Sequence, residues 1–432
     1  MNILTANDQL GSYPPSYYAA TAKFLAPFET AAGAITCDVC VVGGGYAGLS
    51  AALHLAQAGY DVVLLEAHRV GFGASGRNGG QVGTGQRVDQ QDLESMVGLN
   101  RARALWDIGL ESVQLVRNLI ADHKMDCGFT DGIIHADHRA RLVPYSHAYA
   151  DRLRETYGYE KIRALSREET RHLVGSPAYF GGTLDMGGGH THPLRFALGL
   201  AQAAQDAGVR IFEKSTVTSV TDKPCRVTTE KADISASHIV LCCNGYLGDL
   251  QPEVATRVMP INNYMVATKP LSTDMARELI RDNHAVADSK FVINYFRLSE
   301  GNRMLFGGTE SYSYRFPSDI AAKVRKPMAQ IYPQLAGVQI DYAWGGTLGI
   351  TMNRMPHFAR VAGNIISASG YSGHGVAMAT LGGKLAALAI AGHAEKFDLM
   401  AEVPSQRFPG GTALRWPLLA LGMLWFSLRD KL

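Results

Sequence analysis

Residues 36–66 contain the pattern that most restricts the fold of this chain. The valine-rich segment 39–42 ends a short strand and leads into the turn Gly43-Gly44-Gly45-Tyr46-Ala47-Gly48. Apolar residues at helical spacing follow the turn, Gly59 stands where that helix ends, and residues 61–65 form a second apolar strand before Glu66. A strand, a helix and a strand in this order predict a βαβ unit, and therefore an α/β fold with a parallel sheet.

Each glycine of this turn meets a separate need of dinucleotide binding. Gly43 permits the tight turn out of the strand, Gly45 lets the backbone approach a pyrophosphate, and Gly48 lets the helix pack closely on the strand. The free N–H groups at the helix start attract phosphates. Glu66 comes 18 residues after Gly48, where an acid can accept hydrogen bonds from ribose hydroxyls. The predicted cofactor contacts in this unit are Gly43, Gly45, Tyr46, Ala47, Gly48, Glu66 and Ala67.

Composition excludes several other classes of protein. The 432 residues predict two or three domains, and 47% of them are hydrophobic, which is too many for a disordered chain. Lys and Arg number 41 and Asp and Glu 39, so the chain lacks the basic surplus expected of a nucleic-acid partner. Glycine is in excess, with 46 residues, and we expect the excess to lie in specific turns.

A second glycine-rich segment covers residues 70–81, and its first glycine, Gly71, comes five residues after Glu66. A NAD domain would continue into another βα unit, whereas this segment of small residues is suited to pass along a large, flat ligand. Arg77 and Asn78 could bond the phosphates or the ring of that ligand, although a flexible surface loop is the alternative. The contacts predicted in this segment are Gly73, Ala74, Ser75, Arg77, Asn78, Gly79, Gly80 and Gln81.

Three later segments also carry glycines in turns. Gly187–Gly189 is expected to form a loop before a helix that begins near Leu194. An apolar strand over residues 234–241 leads to Asn244 and Gly245, as a strand that meets a ligand would. A strand over 365–369 leads through Gly370–Gly375 into a helix from Val376, and a helix start at this place would stabilise negative charge on a reduced flavin.

With these glycine segments in this order, the chain resembles the D-amino-acid oxidase-like superfamily of FAD-dependent amine oxidases. The resemblance covers residues 17–430 and is nearest to bacterial enzymes of polyamine catabolism that act on γ-glutamylputrescine. The segments that carry it are Ser16–Tyr18, Thr36–Tyr46, Gly71–Gln81, Gly188–Leu194, Gly370–Val376 and Ser427–Asp430.

The resemblance implies a Rossmann-like FAD-binding domain interleaved with an α+β substrate domain that contains a mostly antiparallel sheet. The FAD-binding pieces are expected at residues 1–90 with an N-terminal arm, 181–250, and 346–432 with a C-terminal helix; the substrate-domain pieces are expected at 91–180 and 251–345. By position, Val217 matches a backbone contact to adenine. The helix start Gly373, His374, Gly375 and Val376, together with Asn244 and Gly245, completes the expected cofactor set.

The resemblance also implies the chemistry. A primary amine of γ-glutamylputrescine or a related γ-glutamylated amine would be oxidised to an aldehyde, with release of ammonia and, by reaction with oxygen, hydrogen peroxide. Many relatives carry a lysine over the flavin and a C-terminal cysteine that binds it covalently. Residues 303–307 contain no lysine and no cysteine follows Cys243, so we expect non-covalent FAD and take His374 as the candidate for reaction with oxygen.

Aromatic side chains and one arginine are the candidates for the amine pocket. Tyr295, Trp344 and Tyr371 could line it, as could Tyr264, although each could equally be ordinary core. Arg303 could hold a substrate carboxylate in a bidentate fork, and a solvated strand charge is the equal alternative.

Other motifs favour structural roles. The side chains of Cys37-x-x-Cys40 point to opposite faces of a strand, Cys242-Cys243 lie in a core strand, and His190-x-His192 has no third ligand nearby, so we predict no metal site. Six cysteines and an N-terminus without a signal peptide favour the cytoplasm. Trp416–Leu428 is too short to span a membrane and is expected to be a packed helix, with a membrane-surface contact as the alternative.

The expected partners are a small amine and oxygen, with no nucleic acid and no integral membrane segment; the oligomeric state is left open. Three rival functions remain. These are an amino-acid oxidase of the same fold acting on glycine, sarcosine or a D-amino acid; a flavin dehydrogenase with an acceptor other than oxygen; and a non-catalytic nucleotide-binding module.

Overall fold

The computed structural model describes residues 2–311 and 313–411. The expected helix over Trp416–Leu428 and the segment Ser427–Asp430 lie outside this described part.

One of the two sheets is built around the βαβ unit. Its strand order is β16-β17-β10-β1-β2-β7, with β9 and β8 added beside β10. The pairs from β17 through β7 are parallel, and β16, β9 and β8 pair in the antiparallel sense. The strands of this sheet are β1 (Gly33–Val42), β2 (Val62–Leu65), β7 (Arg210–Phe212), β8 (Val217–Asp222), β9 (Cys225–Thr229), β10 (Ala232–Leu241), β16 (His357–Ala362) and β17 (Ile365–Ser369).

The other sheet is almost entirely antiparallel, with the order β15-β11-β14-β13-β12-β4-β6-β3 and β5 beside β6. Only the β12–β4 pair among these strands is parallel. Its strands are β3 (Gln81–Val82), β4 (Phe129–Ala136), β5 (Ile162–Leu165), β6 (Gly182–Thr191), β11 (Met259–Thr268), β12 (Ala285–Asp288), β13 (Tyr295–Leu298), β14 (Met304–Ser311) and β15 (Ile340–Ile350).

Helices cover the sheets. They are α1 (Tyr17–Thr21), α2 (Tyr46–Gln57), α3 (Gln90–Val97), α4 (Leu99–Asp122), α5 (Val143–Tyr157), α6 (Arg167–Leu173), α7 (Pro193–Asp206), α8 (Pro252–Ala255), α9 (Thr273–Leu279), α10 (Ile320–Ile331), α11 (Gly375–Ile390) and α12 (Glu395–Ala401). Among the described residues no single helix is long and apolar enough to cross a membrane; α11 and α12, bent by 119°, meet the length and composition criteria only as a pair.

Helix α2 forms where the sequence predicts it and packs on α11. Its apolar face buries Leu49 and Leu53 completely. The approach to α11 is very close, since a Cβ added at Gly383 would lie 2.1 Å from the carbonyl oxygen of Ala47. The Rossmann-like unit and the mostly antiparallel second sheet together confirm the predicted fold class.

The chain alternates between the two sheets, and residues 182–191 belong to a different sheet from the expected one. Residues 182–191, assigned to a glycine loop and the second FAD-binding piece, form β6 of the antiparallel sheet. The glycines there admit neighbouring groups rather than a cofactor: a Cβ on Gly187 would lie 1.8 Å from the Tyr159 hydroxyl, and one on Gly189 would lie 2.4 Å from the carbonyl oxygen of Thr130.

Candidate active site

A cavity of about 770 Å³ lies where the carboxyl ends of parallel strands face the antiparallel sheet. The ends of β1, β2 and β10 contribute Val42, Leu65 and Cys242, and the turn after β17 contributes Tyr371. On the opposite side the lining includes His135 of β4. This is the edge at which α/β sheets bind their ligands.

The turn between β1 and α2 forms a cradle without side chains. Gly43 has a φ of +107°, and a Cβ on Gly48 would lie 1.8 Å from the Gly43 carbonyl oxygen, so glycine is required at both places. Gly45 is the N-cap of α2 and offers no side-chain cap. The Ser75 hydroxyl accepts a hydrogen bond of 2.9 Å from the Tyr46 N–H and so joins the cradle to the second glycine segment. The cradle therefore presents a helix N-terminus to the cavity.

Glu66 is fixed at the end of β2 by two backbone donors. Its Oε2 accepts from the Gly44 N–H at 2.7 Å, and its Oε1 accepts from the His68 N–H at 2.8 Å. Burial raises the pKa of Glu66 to about 7, against the effect of those two hydrogen bonds. Each carboxylate oxygen keeps a lone pair free for a hydroxyl donor from the cavity.

The second glycine segment lines the cavity, and its polar side chains form hydrogen bonds with other protein groups. Arg77 donates to the carbonyl oxygens of Phe72 and Gly345 and pairs with Asp8 at 3.1 Å. Asn78 donates to the carbonyl oxygens of Ala74 and Ser75 and accepts from the Gly80 N–H, holding the turn together. Both residues line the cavity, so their predicted contacts with the phosphates or the ring stay a prediction beside these structural bonds.

His374 stands at the N-cap of α11 and faces the cavity. Its Nε2 lies 3.2 Å from the Gly85 carbonyl oxygen, and burial lowers its pKa to about 4 with help from the charge of Arg87. The ring is therefore neutral at physiological pH and holds its proton on Nε2, facing that carbonyl. A neutral ring supplies no positive charge to oxygen, so the role in oxygen reaction expected for His374 stays a prediction.

Most of the remaining predicted residues line the cavity. Tyr295 does so with its hydroxyl bonded at 2.5 Å to Asn263 Oδ1, and the Tyr371 ring packs beneath Gly382 of α11. The other predicted residues in the lining are Gly43, Gly45, Tyr46, Ala47, Glu66, Ala67, Gly73, Ala74, Ser75, Gly79, Gln81, Val217, Asn244, Gly373, Gly375 and Val376.

A few predicted residues lie outside the lining. Gly48, Gly80 and Gly245 lie against backbone behind it, because a Cβ at each would come within 3 Å of a carbonyl oxygen. Trp344 is a correction: its indole N–H donates to the Arg77 carbonyl oxygen at 3.0 Å, which buries the ring behind the second glycine segment. Tyr264 is likewise a buried core residue.

Arg303 is the second correction among the catalytic candidates. Its Nη1 donates to the carbonyl oxygen of Thr268 at 2.7 Å and pairs with Asp341 at 2.5 Å. Both acceptors belong to neighbouring positions of the antiparallel sheet, and Arg303 is outside the cavity lining. The guanidinium is thus committed to the sheet and does not meet a substrate.

The cavity also contains polar residues that the sequence analysis missed. They lie near the antiparallel sheet or in the loop after β3. The local signal that could have indicated them was the charge that directly follows the short glycine segment 83–85. These polar residues are Arg87, Asp89, His135, Asp137, Tyr145, Tyr149, Asp185, Asn263, Lys290, Glu310 and Arg354; the apolar Leu4 of the N-terminal segment also lines the cavity.

The family model described as FAD dependent oxidoreductase (DAO) matches residues 38–389. The chain belongs to the FAD-dependent oxidoreductase family. This oxidoreductase is 43% identical over 419 residues to the gamma-glutamylputrescine oxidoreductase of Escherichia coli, covering 96% of this chain and 98% of that protein. It is 40% identical to the probable oxidoreductase OrdL of Rhizobium meliloti, over 96% of this chain and 97% of that one.

Solved structures show the same fold at lower identity. Glycine oxidase from Geobacillus kaustophilus superposes with a TM-score of 0.69 at 20% identity, covering 83% of this chain and 95% of that one. L-proline dehydrogenase from P. horikoshii gives 0.68 at 20% identity, covering 87% and 96%. Both solved structures thus share the fold of this oxidoreductase.

The residues present fit FAD. The glycine cradle that a Cβ would fill, the helix N-terminus without a side-chain cap and the two-oxygen acid Glu66 suit a pyrophosphate and a ribose. No group of three or more His, Cys, Asp or Glu side chains within residues 2–311 and 313–411 has the arrangement of a metal site. His190 and His192 bond instead to the Asn283 carbonyl oxygen and the Thr21 hydroxyl.

Proposed function

We propose that this oxidoreductase oxidises the primary amine of γ-glutamylputrescine, or of a closely related γ-glutamylated amine. The overall reaction converts R–CH2–NH2, O2 and H2O into R–CHO, NH3 and H2O2. The observation that carries the proposal is the full-length similarity, at 43% identity, to a gamma-glutamylputrescine oxidoreductase. The cavity adds support, because it extends beyond the cofactor cradle to Trp106 and α5 and so has room for a long substrate.

FAD bound in the cradle would accept the two electrons released with the hydride of the C–H bond next to the amine. We propose that Gly43, Gly45 and the start of α2 hold its pyrophosphate, that Glu66 holds a ribose, and that Val217 meets the adenine. The helix start at Gly375 would lie near the ring, with its dipole favouring negative charge there.

The amine must be neutral to give up hydride. His135 lines the cavity, and burial lowers the pKa of its imidazole. The enclosing protein disfavours the ammonium form of the substrate in the same way. Binding and orientation are then the main tasks of the protein.

Non-covalent attachment of FAD is part of the proposal. Cys242 and Cys243 line the cavity, yet burial raises the pKa of both thiols, that of Cys243 to about 12. A thiol that stays protonated is a poor nucleophile towards a flavin. All six cysteines are free in the structure, which supports a reducing compartment such as the cytoplasm.

A peroxide assay tests the proposed function. The purified holoenzyme is given γ-glutamylputrescine, putrescine, glycine, sarcosine and D-alanine, and peroxide and ammonia are measured. We expect the highest kcat/KM with γ-glutamylputrescine. Turnover confined to the amino acids would contradict the proposal and favour an amino-acid oxidase.

A second measurement addresses oxygen as the acceptor. The flavin is reduced anaerobically with the substrate and the solution is then mixed with air. Fast return of the oxidised flavin absorbance is expected, whereas slow return would indicate a dehydrogenase with another acceptor. Release of free FAD on denaturation checks that attachment is non-covalent.

A further inference from the structure

The part of the cavity between the Ser372 turn and α5 contains charged groups and aromatic rings. We call it the distal chamber and define it by Arg87, Asp89, Trp106, His135, Tyr145 and Tyr149, all of which line the cavity. The charges of Asp185, Asp89 and Arg87 all influence the pKa of His135. The chamber therefore offers a cation, an anion and aromatic rings together.

The side chain of Asp89 does not cap the helix at whose N-cap position it stands. It occupies the N-cap position of α3, where an aspartate ordinarily accepts a hydrogen bond from a backbone N–H of the first turn. Here the side chain makes no such bond, and Oδ2 accepts from the Tyr145 hydroxyl at 2.9 Å. Forgoing the cap leaves Oδ1 of this carboxylate available to a donor in the chamber.

Arg87 is held by one nitrogen only. Its Nε donates to the Ser372 carbonyl oxygen at 3.2 Å, and within the described part of the chain its two terminal nitrogens have no hydrogen-bond partner. Arg87 and Asp89 form no ion pair with each other, although they are two residues apart. A guanidinium with both terminal nitrogens unused is suited to a carboxylate.

Other carboxylates of the same region are already occupied. Asp185 accepts from the Thr84 hydroxyl, the Tyr159 hydroxyl and the Gly187 N–H. Asp137 accepts from the Ser146 hydroxyl at 2.5 Å. Within the distal chamber, Arg87 and Asp89 are thus the oppositely charged pair with open bonding positions, while Lys290, Glu310 and Arg354 line the cavity outside it.

We propose that Arg87 and Asp89 form a recognition site for the zwitterionic α-amino-acid end of a γ-glutamylated amine. Arg87 binds the α-carboxylate through its terminal nitrogens, and Asp89, steadied by Tyr145, binds the α-ammonium. This inference rests on the proposed function. It assigns substrate selection to a site separate from the reacting amine, because the two ends of an extended γ-glutamylputrescine are far apart.

The experiment uses four acylated putrescines with the same reacting amine. γ-Glutamylputrescine carries both charges of the head, glutarylputrescine lacks the α-ammonium, 4-aminobutanoylputrescine lacks the carboxylate, and butanoylputrescine lacks both. Each is assayed for kcat/KM with the wild-type holoenzyme and with Arg87→Gln, Arg87→Lys and Asp89→Asn. Arg101→Gln and Glu402→Gln, which remove the partners of an exposed ion pair, are the matched controls.

Arg87→Gln is expected to lower kcat/KM about 10- to 100-fold for the two substrates with a carboxylate and to leave the other two unchanged, with partial recovery in Arg87→Lys. Asp89→Asn is expected to lower it similarly for the two substrates with an ammonium. The control variants should match wild type on all four.

Equal losses on all four substrates would overturn the inference, because they would indicate that Arg87 acts only by supporting the Ser372 turn. A wild-type enzyme that oxidises butanoylputrescine or putrescine as well as γ-glutamylputrescine would also overturn it, and needs no variant to fold. Failure of the proposed function is distinct, since the wild-type enzyme would then oxidise none of the putrescine derivatives.

Discussion

Gly48 illustrates at the scale of one residue how the cofactor turn depends on an absent side chain. A methyl group there would lie 1.8 Å from the Gly43 carbonyl oxygen, so the helix and the strand would have to separate. We expect Gly48→Ala to lose about 2–3 kcal/mol of stability and most of its bound FAD, measured by thermal unfolding and by flavin absorbance per chain.

The matched control for that substitution is Gly337→Ala, since Gly337 is exposed and an added Cβ there would meet nothing within 4 Å. It should keep wild-type stability and flavin content. A Gly48→Ala protein with a full complement of flavin would contradict the proposed role of the turn.

Replacing the Glu66 carboxylate by an amide should weaken FAD binding. In Glu66→Gln the amide nitrogen would face either the Gly44 or the His68 N–H, which now donate to the two carboxylate oxygens. We expect FAD to bind about 10- to 100-fold more weakly, measured by titrating apoprotein and following flavin fluorescence. Asp61→Asn, at the exposed start of the same βα segment, should bind FAD as the wild type does, and an equal loss there would remove the case for Glu66.

The N-terminal arm, residues 2–16, is the element whose importance the sequence least indicated. Asp8 in this arm pairs with the Arg77 guanidinium, and the two side chains are 10% and 1% exposed. Leu4 lines the cavity, and its carbonyl oxygen lies 2.8 Å from His68 Nε2. The arm therefore closes one side of the cavity and supports the second glycine segment.

Removing residues 1–12 should consequently destabilise the protein and weaken FAD retention. Leaving the buried Arg77 charge unpaired costs about 3–5 kcal/mol, and Asp8→Asn should reproduce most of the fall in the unfolding midpoint. Asp398→Asn breaks an exposed pair with Arg360 and should change stability by less than about 1 kcal/mol. Unchanged flavin retention in the truncated protein would show that the arm is not a wall of the site.

Across the whole molecule, histidines that stay neutral in the fold set the dependence of stability on pH. Burial lowers the pKa of His54, His357 and His374 to about 4, and that of His190 and His192 to about 3. The unfolded chain binds these protons near pH 6.5 and the folded chain does not, so stability falls as pH drops below 6.5.

Lowering the pH from 7 to 5 should therefore lower the free energy of unfolding by about 2 kcal/mol for each such histidine. Glu66, Asp137 and Asp288 act in the opposite sense, because their raised pKa values make the folded chain bind protons that the unfolded chain releases. The histidines outnumber them, since burial also lowers the pKa of His68 and His135. Chemical unfolding at both pH values measures the effect. His54→Gln, at a site remote from the cavity lining, should make the dependence shallower, and an unchanged slope would contradict this origin.

The strands of the chain alternate between the two sheets. The strands over 33–65, 210–241 and 357–369 join one sheet, and those over 81–191 and 259–350 join the other. The resemblance implied an interleaved chain with residues 181–250 in the FAD-binding domain, whereas residues 182–191 form β6 of the antiparallel sheet. Glycines in a strand that passes close to Tyr159 look the same in the sequence as glycines in a turn that approaches a cofactor.

The βαβ unit, its glycine turn and the acid Glu66 could be predicted from the sequence, because they depend on backbone conformations and spacings within 31 residues. Local patterns of this kind are carried by neighbouring residues and need no distant partner. Cys37 and Cys40 are buried in β1 as predicted, but both belong to the same core cluster, so the prediction that they point to opposite faces was wrong.

The set of side chains that meet in the cavity could be read from the tertiary structure but not from the sequence. Arg303 and Trp344 were reasonable candidates by residue type, and packing turned one towards Asp341 and the other towards the backbone of Arg77. Charge directly after the glycine segment 83–85 was the local signal at Arg87 and Asp89. The two residues become a candidate binding site because the loop after β3 contacts Tyr145 of α5 and the Ser372 turn. Contacts between residues far apart in the chain depend on how two sheets pack together, and no pattern within a single segment contains that information.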